Sequence, residues 1–216
     1  ALFRALCRVA VETGGFQLAW VGLVDVATLD VRLVAVQGSP AGEAFAARLR
    51  ITARDEVSGQ GPTGTAIRSG RICMVRDVSR ERAGPTWDRA LALGLRCVAS
   101  VPLRQGERVV GALTMLSPEP DFFDAEGERL LSEIGDDVSY ALDALAREEE
   151  RRRVQEALAA SEERFRTLVH SMDDVVFTLD TQQRHTGVYG RWLARYGLQP
   201  EMFLGKTARE ALGPAA

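Results

Sequence analysis

From Asp124 the chain reads DAEGERLLSEIGDDVSYALDALAREEERRRVQEALAASEERFRTLVHSM, with no proline and no glycine after Gly135. Such a stretch predicts one continuous helix of roughly 70 Å at about 1.5 Å per residue. That is far longer than a domain of this size needs for its own core. Leu130, Leu131, Ile134, Val138, Ala141, Leu142 and Leu145 recur at helical spacing as an apolar stripe. The stripe breaks at the EEERRR run and returns at Val154, Leu158, Phe165 and Leu168, one residue out of phase. Arg151 and Arg152 stand where apolar residues would be needed. One reading is a solvated spacer. The other is a parallel two-stranded coiled coil, hence a homodimer, with Leu131, Val138, Leu142, Leu145, Leu158, Phe165 and Leu168 on the helix that joins the copies. In that reading the weak middle is the part that rearranges, with Glu148–Arg152 and Glu149–Arg153 pairs expected at i,i+4 spacing.

The chain of 216 residues is long enough for one large domain or one and a half ordinary ones. Its apolar share of 46% is enough for a real core. A net charge of −3 provides no electrostatic reason to expect nucleic acid or an anionic membrane as partner. Lysine occurs once and asparagine not at all, which reads as the codon bias of a GC-rich genome rather than a phosphate-binding surface. The longest apolar stretch, Phe16 to Val26, is too short to span a bilayer. No signal peptide opens the chain, and its start without methionine and its end after Gly213-Pro214 suggest a fragment. Cys7, Cys73 and Cys97 are isolated and in apolar contexts. They read as reduced, buried thiols in a cytoplasmic protein.

The first 145 residues alternate helix and strand signals. Leu2 to Thr13 has helical spacing and stops at Gly14-Gly15. Phe16 to Val26 and Val31 to Gln37 read as strands, Glu43 to Leu49 as a helix, and Thr65 to Ser69 as a short helix after a glycine-rich loop. Ile72 to Arg76 is an edge-length strand, and Thr86 to Leu93 a helix. Arg96 to Leu103 and Arg108 to Ser117 form a hairpin around Gln105-Gly106-Glu107. Hairpin-joined strands between terminal helices imply an α+β domain on an antiparallel sheet. The two terminal helices are expected on one face of it, because each carries a stripe to bury.

Gly59-Gln60-Gly61-Pro62-Thr63-Gly64 matches the G-x-G-x-x-G dinucleotide fingerprint, with Asp77 near the place of the ribose-binding acid. The context argues against it. Residues 50–56 are too charged for the buried strand that must precede such a loop, and Gly70 cuts the next helix short. The segment reads instead as a tight turn into a helix whose N-terminus could face a small ligand.

Three segments, GPTGTAIRSGRICMVRDV, ALGLRCVASVPLRQGERVVGALTMLS and FFDAEGERLLSEIGDDVSYAL, together resemble a GAF domain, a small-molecule sensor module of bacterial signalling proteins. The opening GGFQLAWVGLVD is similar to the first strand of a GAF subgroup that often precedes PAS domains, histidine kinases and GGDEF diguanylate cyclases. From Ser161, SEERFRTLVHSMDDVVFTLD and GLQPEMFLGKTAREALG resemble about the first half of a PAS domain. The resemblance divides the chain into a GAF-like domain (1–145), a helical, coiled-coil-like linker (146–160) and a truncated PAS-like part (161–216).

What the resemblance implies can be compared position by position. Haem-binding GAF domains use a histidine, yet the only histidines, His170 and His185, lie in or beside the PAS-like part. The Cys-His pair that anchors bilin is missing, and the N-K-F-D-E signature of cyclic-nucleotide GAF domains requires asparagine. No cofactor is therefore assigned. GAF-type reductases of free methionine sulfoxide carry a cysteine in G-V-C-G, where this chain has Gly61-Pro62-Thr63-Gly64. A hydroxyl that no base activates does not replace a thiolate, so the expected role is non-enzymatic. The resemblance implies instead that the domain binds an unknown small ligand and relays the signal through the helix to PAS and output domains; the alternative is a ligand-free dimerisation scaffold. Candidate lining residues are Trp20, Gly61, Thr63, Trp87, Leu91, Ser100 and Thr114. Ser100 and Thr114 are chosen as polar positions within apolar strands that face either solvent or a ligand.

Overall fold

The computed structural model describes residues 2–81, 85–172 and 174–213, without the side chains of Pro85, Ala125 and His170. The chain divides into two compact units, Ala1–Arg147 and Glu148–Ala216.

The first unit is built on a six-stranded, wholly antiparallel sheet. Its strands are β1 (Leu18–Val24), β2 (Asp30–Gly38), β3 (Ile51–Thr52), β4 (Cys73–Val75), β5 (Cys97–Gln105) and β6 (Arg108–Ser117), in the order β3-β2-β1-β6-β5-β4. The β1–β2 turn is tied by the Asp25 carboxylate, which accepts from the Ala27 and Thr28 amides at 2.9 Å each. The β5–β6 turn passes through Gly106 at φ 59°, a conformation that glycine adopts without a Cβ clash. Ile51–Thr52 was not expected as a strand. It is a two-residue edge piece, short enough for a charged segment to supply.

Side chains alternate across the pleat, and each face has its own core. On one face, helix α1 (Leu2–Glu12) and the start of α5 (Ala125–Ser171) join Ala19, Val21, Ala99, Val101, Leu113 and Met115 in one cluster. Cys7 and Ala10 come from α1, and Leu131 and Val138 from α5. The shared face is the one expected for the two terminal helices. On the opposite face lie α2 (Pro40–Ala46), α3 (Pro62–Ser69) and α4 (Pro85–Ala92). They cover Leu18, Trp20, Val98 and Leu116 in one cluster and Ala112 in another. Full burial of such side chains contributes about 1.5–3 kcal/mol each.

Helix ends follow local chemistry. Ser39 caps α2 by accepting from the Gly42 amide, and Pro40 begins the helix without needing a donor. Asp124 accepts from the Gly127 amide at 2.8 Å and so starts α5. Gly70 ends α3 in the left-handed region. Asp77 holds the loop before α4 by accepting from the Ser79 hydroxyl and amide and from Arg96. The Ser79 hydroxyl and the other bonds keep its carboxyl below the usual carboxylate range.

The second unit contains the later part of α5 and a hairpin of β7 (Val176–Leu179) and β8 (His185–Tyr189). Helices α6 (Arg191–Arg195) and α7 (Ala208–Leu212) follow. Val188, Leu193 and Phe203 form its core. His185 is buried there, with Nδ1 2.7 Å from the Lys206 carbonyl oxygen. The side chain of His170 lies outside the described residues.

The apolar stripe of α5 has two uses. Leu131 and Val138 are buried and Leu142 is half-buried, all in the first unit's own core, so they are not free to face a partner helix. Leu145, Leu158 and Leu168 are 58%, 59% and 65% exposed. Phe165 stacks edge-on against Tyr189 at 5.5 Å between ring centroids. The ion pairs of the charged run differ in spacing from the expectation. Arg151 pairs with Glu148 at 2.9 Å, Arg152 with Glu149 at 2.8 Å and Arg153 with Glu150 at 3.9 Å, all at i,i+3. That register pairs three consecutive acids with three consecutive bases, whereas i,i+4 would set Glu150 against Val154. Among the described residues no helix is long and apolar enough to cross a membrane.

Candidate ligand-binding cleft

Strand register places four side chains on one rung across the sheet. Trp20 on β1 is paired with Thr114 on β6, Thr114 with Ser100 on β5, and Ser100 with Cys73 on β4. Directly paired residues share a face, here the face covered by α2, α3 and α4. Above this rung opens a cleft of about 1390 Å³, ample for a small organic molecule. Its inner wall includes Trp20, Phe45, Trp87, Val98, Thr114 and Leu116, with Gly61 from the N-cap of α3 and Thr63 and Gly64 from its first turn.

The rung carries a chain of buried hydroxyls. Ser100 Oγ lies 2.8 Å from Thr114 Oγ1, which lies 2.9 Å from Thr63 Oγ1. Trp20 is 4% exposed, and its Nε1–H has no hydrogen-bond partner among the described residues. A buried donor left unpaired costs about 1–3 kcal/mol.

The glycine-rich loop has a packing role. A Cβ at Gly59 would overlap the Arg54 carbonyl oxygen, and one at Gly64 would meet the carbonyl oxygens of Thr52 and Gly59. These contacts press the first turn of α3 against the β3 edge. Gly61 has open space around its Cβ position. The fingerprint spacing is thus explained by backbone approach at Gly59 and Gly64.

Of the seven lining residues expected, Trp20, Gly61, Thr63, Trp87 and Thr114 line the cleft. Ser100 and Leu91 do not. Ser100 is fully buried and spends its hydroxyl on Thr114, and Leu91 packs into the apolar cluster of Trp20 and Val98. Sequence reasoning missed the contribution of α2 and the loop after it, Phe45, Arg48, Leu49 and Arg50, together with Arg89 on α4. The i,i+4 spacing of Phe45 and Leu49 reads as one helical face in the sequence, but α2 ends at Ala46 and Leu49 reaches the cleft from the loop.

Cys73 is the one cysteine that lines the cleft. Burial pushes its thiol up, and the nearby charge of Glu81 adds to this. Cys7 and Cys97 are fully buried in the cluster on the other side of the sheet. Among the described residues no group of three or more His, Cys, Asp or Glu could hold a metal ion.

A curled antiparallel sheet with its terminal helices on one face and a cleft under short helices on the other defines an α+β domain. The chain belongs to the GAF domain family, whose profile matches residues 1–143. Among solved structures, the GAF domain region of a Geobacter sulfurreducens protein is similar at 21% identity and a TM-score of 0.55, over 66% of this chain and 91% of that one. The free methionine-R-sulfoxide reductase of Neisseria meningitidis, solved with its substrate, is similar at 24% identity and TM-score 0.53, over 66% and 76%. A domain assigned to a two-component sensor histidine kinase of Sinorhizobium meliloti is similar at 15% identity and TM-score 0.53, over 70% and 95%. At these identities the likeness is one of fold. No curated protein matches the chain.

Proposed function

We propose that this chain is the sensory part of a bacterial, cytoplasmic signal-transduction protein. Its GAF domain takes a small ligand in the cleft, and α5 carries the resulting change to the PAS-like residues 161–216 and to an output such as a histidine kinase or diguanylate cyclase. The observation that carries this reading is the cleft itself, about 1390 Å³ over a sheet rung that includes Trp20 and Thr114. The exposed Leu145, Val154, Leu158 and Leu168 support a parallel homodimer through the later part of α5, with Phe165 beside them.

A scaffold without ligand is the second reading, and the size of the cleft speaks against it. A methionine sulfoxide reductase is the third, prompted by the similar Neisseria protein. Thr63 stands in place of the G-V-C-G cysteine, and Cys73 faces the cleft with Cys7 and Cys97 on the far side of the sheet. A dithiol cycle needs a second thiol within disulfide reach, so the purified chain with free methionine sulfoxide and a thiol reductant is expected to show no turnover.

The ligand reading is tested with N-phenyl-1-naphthylamine, a neutral apolar fluorophore. Saturable binding is expected, and it should be abolished by Ala44→Trp, which fills the cleft from the exposed side of α2. A wild-type chain with no saturable binding would favour the scaffold.

A further inference from the structure

We infer that the ligand is an anion with an apolar body, its charged group held at the mouth of the cleft by Arg48, Arg50 and Arg89. This inference rests on the sensory reading above and names the ligand class for the same cleft. All three arginines line the cleft and are exposed at its mouth. Among the described residues none of the three guanidinium groups has a hydrogen bond or an ion pair, whereas Arg54 and Arg68 nearby are engaged by Asp30, Glu56 and backbone carbonyls. Two carboxylates also line the cleft. Glu56 is already occupied by Arg54 at 3.3 Å and the Ser58 hydroxyl at 2.9 Å. Glu81 alone has no such partner among the described residues. Three unengaged cations thus face one unengaged anion.

The inner wall adds no carboxylate and offers a hydroxyl donor. Ser100, Thr114 and Thr63 share two bonds between three hydroxyls, so one hydroxyl proton is left for another acceptor, and Thr63 is an end of that chain that lines the cleft. The wall around these groups is apolar, from Phe45, Trp87, Val98 and Leu116. Full burial of a charge is costly, which places the anionic group at the solvated mouth and the apolar body within. A carboxylate, sulfonate or phosphate meets this pattern. A cationic amine does not, since Glu81 alone would oppose three guanidinium groups.

The test uses two probes that share a body, 8-anilinonaphthalene-1-sulfonate and N-phenyl-1-naphthylamine, titrated into the full 216-residue chain. The sulfonate is expected to bind at least about tenfold more tightly, as a charge-assisted contact provides. Combined Arg48→Gln, Arg50→Gln and Arg89→Gln should remove this preference, and an unchanged thermal melt verifies that the variant is folded. Ala44→Trp should abolish binding of both probes. Equal affinities in the wild type, or a preference that survives the triple substitution, would overturn the anion assignment and leave the sensory reading intact. No saturable binding of either probe would overturn both.

Discussion

Thr114 Oγ1 lies 2.9 Å from Thr63 Oγ1, joining the middle of the sheet to the first turn of α3 across 51 residues of sequence. Because Ser100 Oγ also bonds to Thr114, one hydroxyl satisfies two others in a buried site. Thr114→Val keeps the shape and strands both neighbours, so a loss of about 1–3 kcal/mol is expected in urea denaturation. Thr114→Ser should retain most of the stability.

The loop glycines should separate by position. Gly64→Ala drives a Cβ into the Thr52 and Gly59 carbonyls and is expected to cost about 1–3 kcal/mol. Gly61→Ala enters open space at φ −67°, an ordinary backbone for alanine. Glycine is the better N-cap, but alanine loses about 0.4–1 kcal/mol less backbone entropy on folding, so the net change should be under about 0.5 kcal/mol. Paired thermal melts of the two variants check the contrast.

Cys73 should be the first thiol to react with N-ethylmaleimide, since Cys7 and Cys97 are fully buried. The thiolate is the reactive form, and burial raises the Cys73 thiol above its ordinary value. Labelling is therefore expected to be slow at neutral pH and to accelerate as pH rises beyond about 9. The Cys7 thiol, pushed up to about 11, should label only after unfolding. Saturating 8-anilinonaphthalene-1-sulfonate should protect Cys73, and an unchanged rate would place that probe outside the cleft.

For the proposed dimer, Val154→Glu with Leu158→Glu is expected to shift sedimentation from dimer to monomer while the GAF domain keeps its melting transition. Leu131→Ala should do the reverse. It removes a core side chain and is expected to cost about 2–5 kcal/mol in stability without changing the association state. A wild-type chain that sediments as a monomer at high concentration would leave α5 as a spacer.

Much of the fold was legible because its signals are local. The alternation of Arg108 to Ser117 around a glycine turn, the stop at Gly14-Gly15 and the Asp124 cap each specify an element within about ten residues. The site was legible in part, through Trp20, Thr63 and Thr114. Ser100 misled because polarity in an apolar strand does not reveal that its partner is another strand hydroxyl. Arg48, Arg50 and Arg89 were not legible, since exposed arginines look alike in sequence until folding gathers them at one mouth. The α5 stripe was ambiguous for a related reason: an apolar row fits a sheet as well as a second helix, and only the sheet's extent decides that Leu131 and Val138 turn inward while Leu158 does not.

The central position of β1 has a consequence for synthesis. Leu18 on β1 is opposite Leu116 on β6, so an early strand waits for one that the ribosome delivers nearly a hundred residues later. Until Ser117 has emerged, β1 can complete its ladder only on the β2 side, leaving an apolar edge of Ala19, Val21 and Leu23 open to any other strand. Nascent chains stalled or cleaved before that point are the aggregation-prone species, and the β5–β6 hairpin is the piece whose arrival ends the hazard.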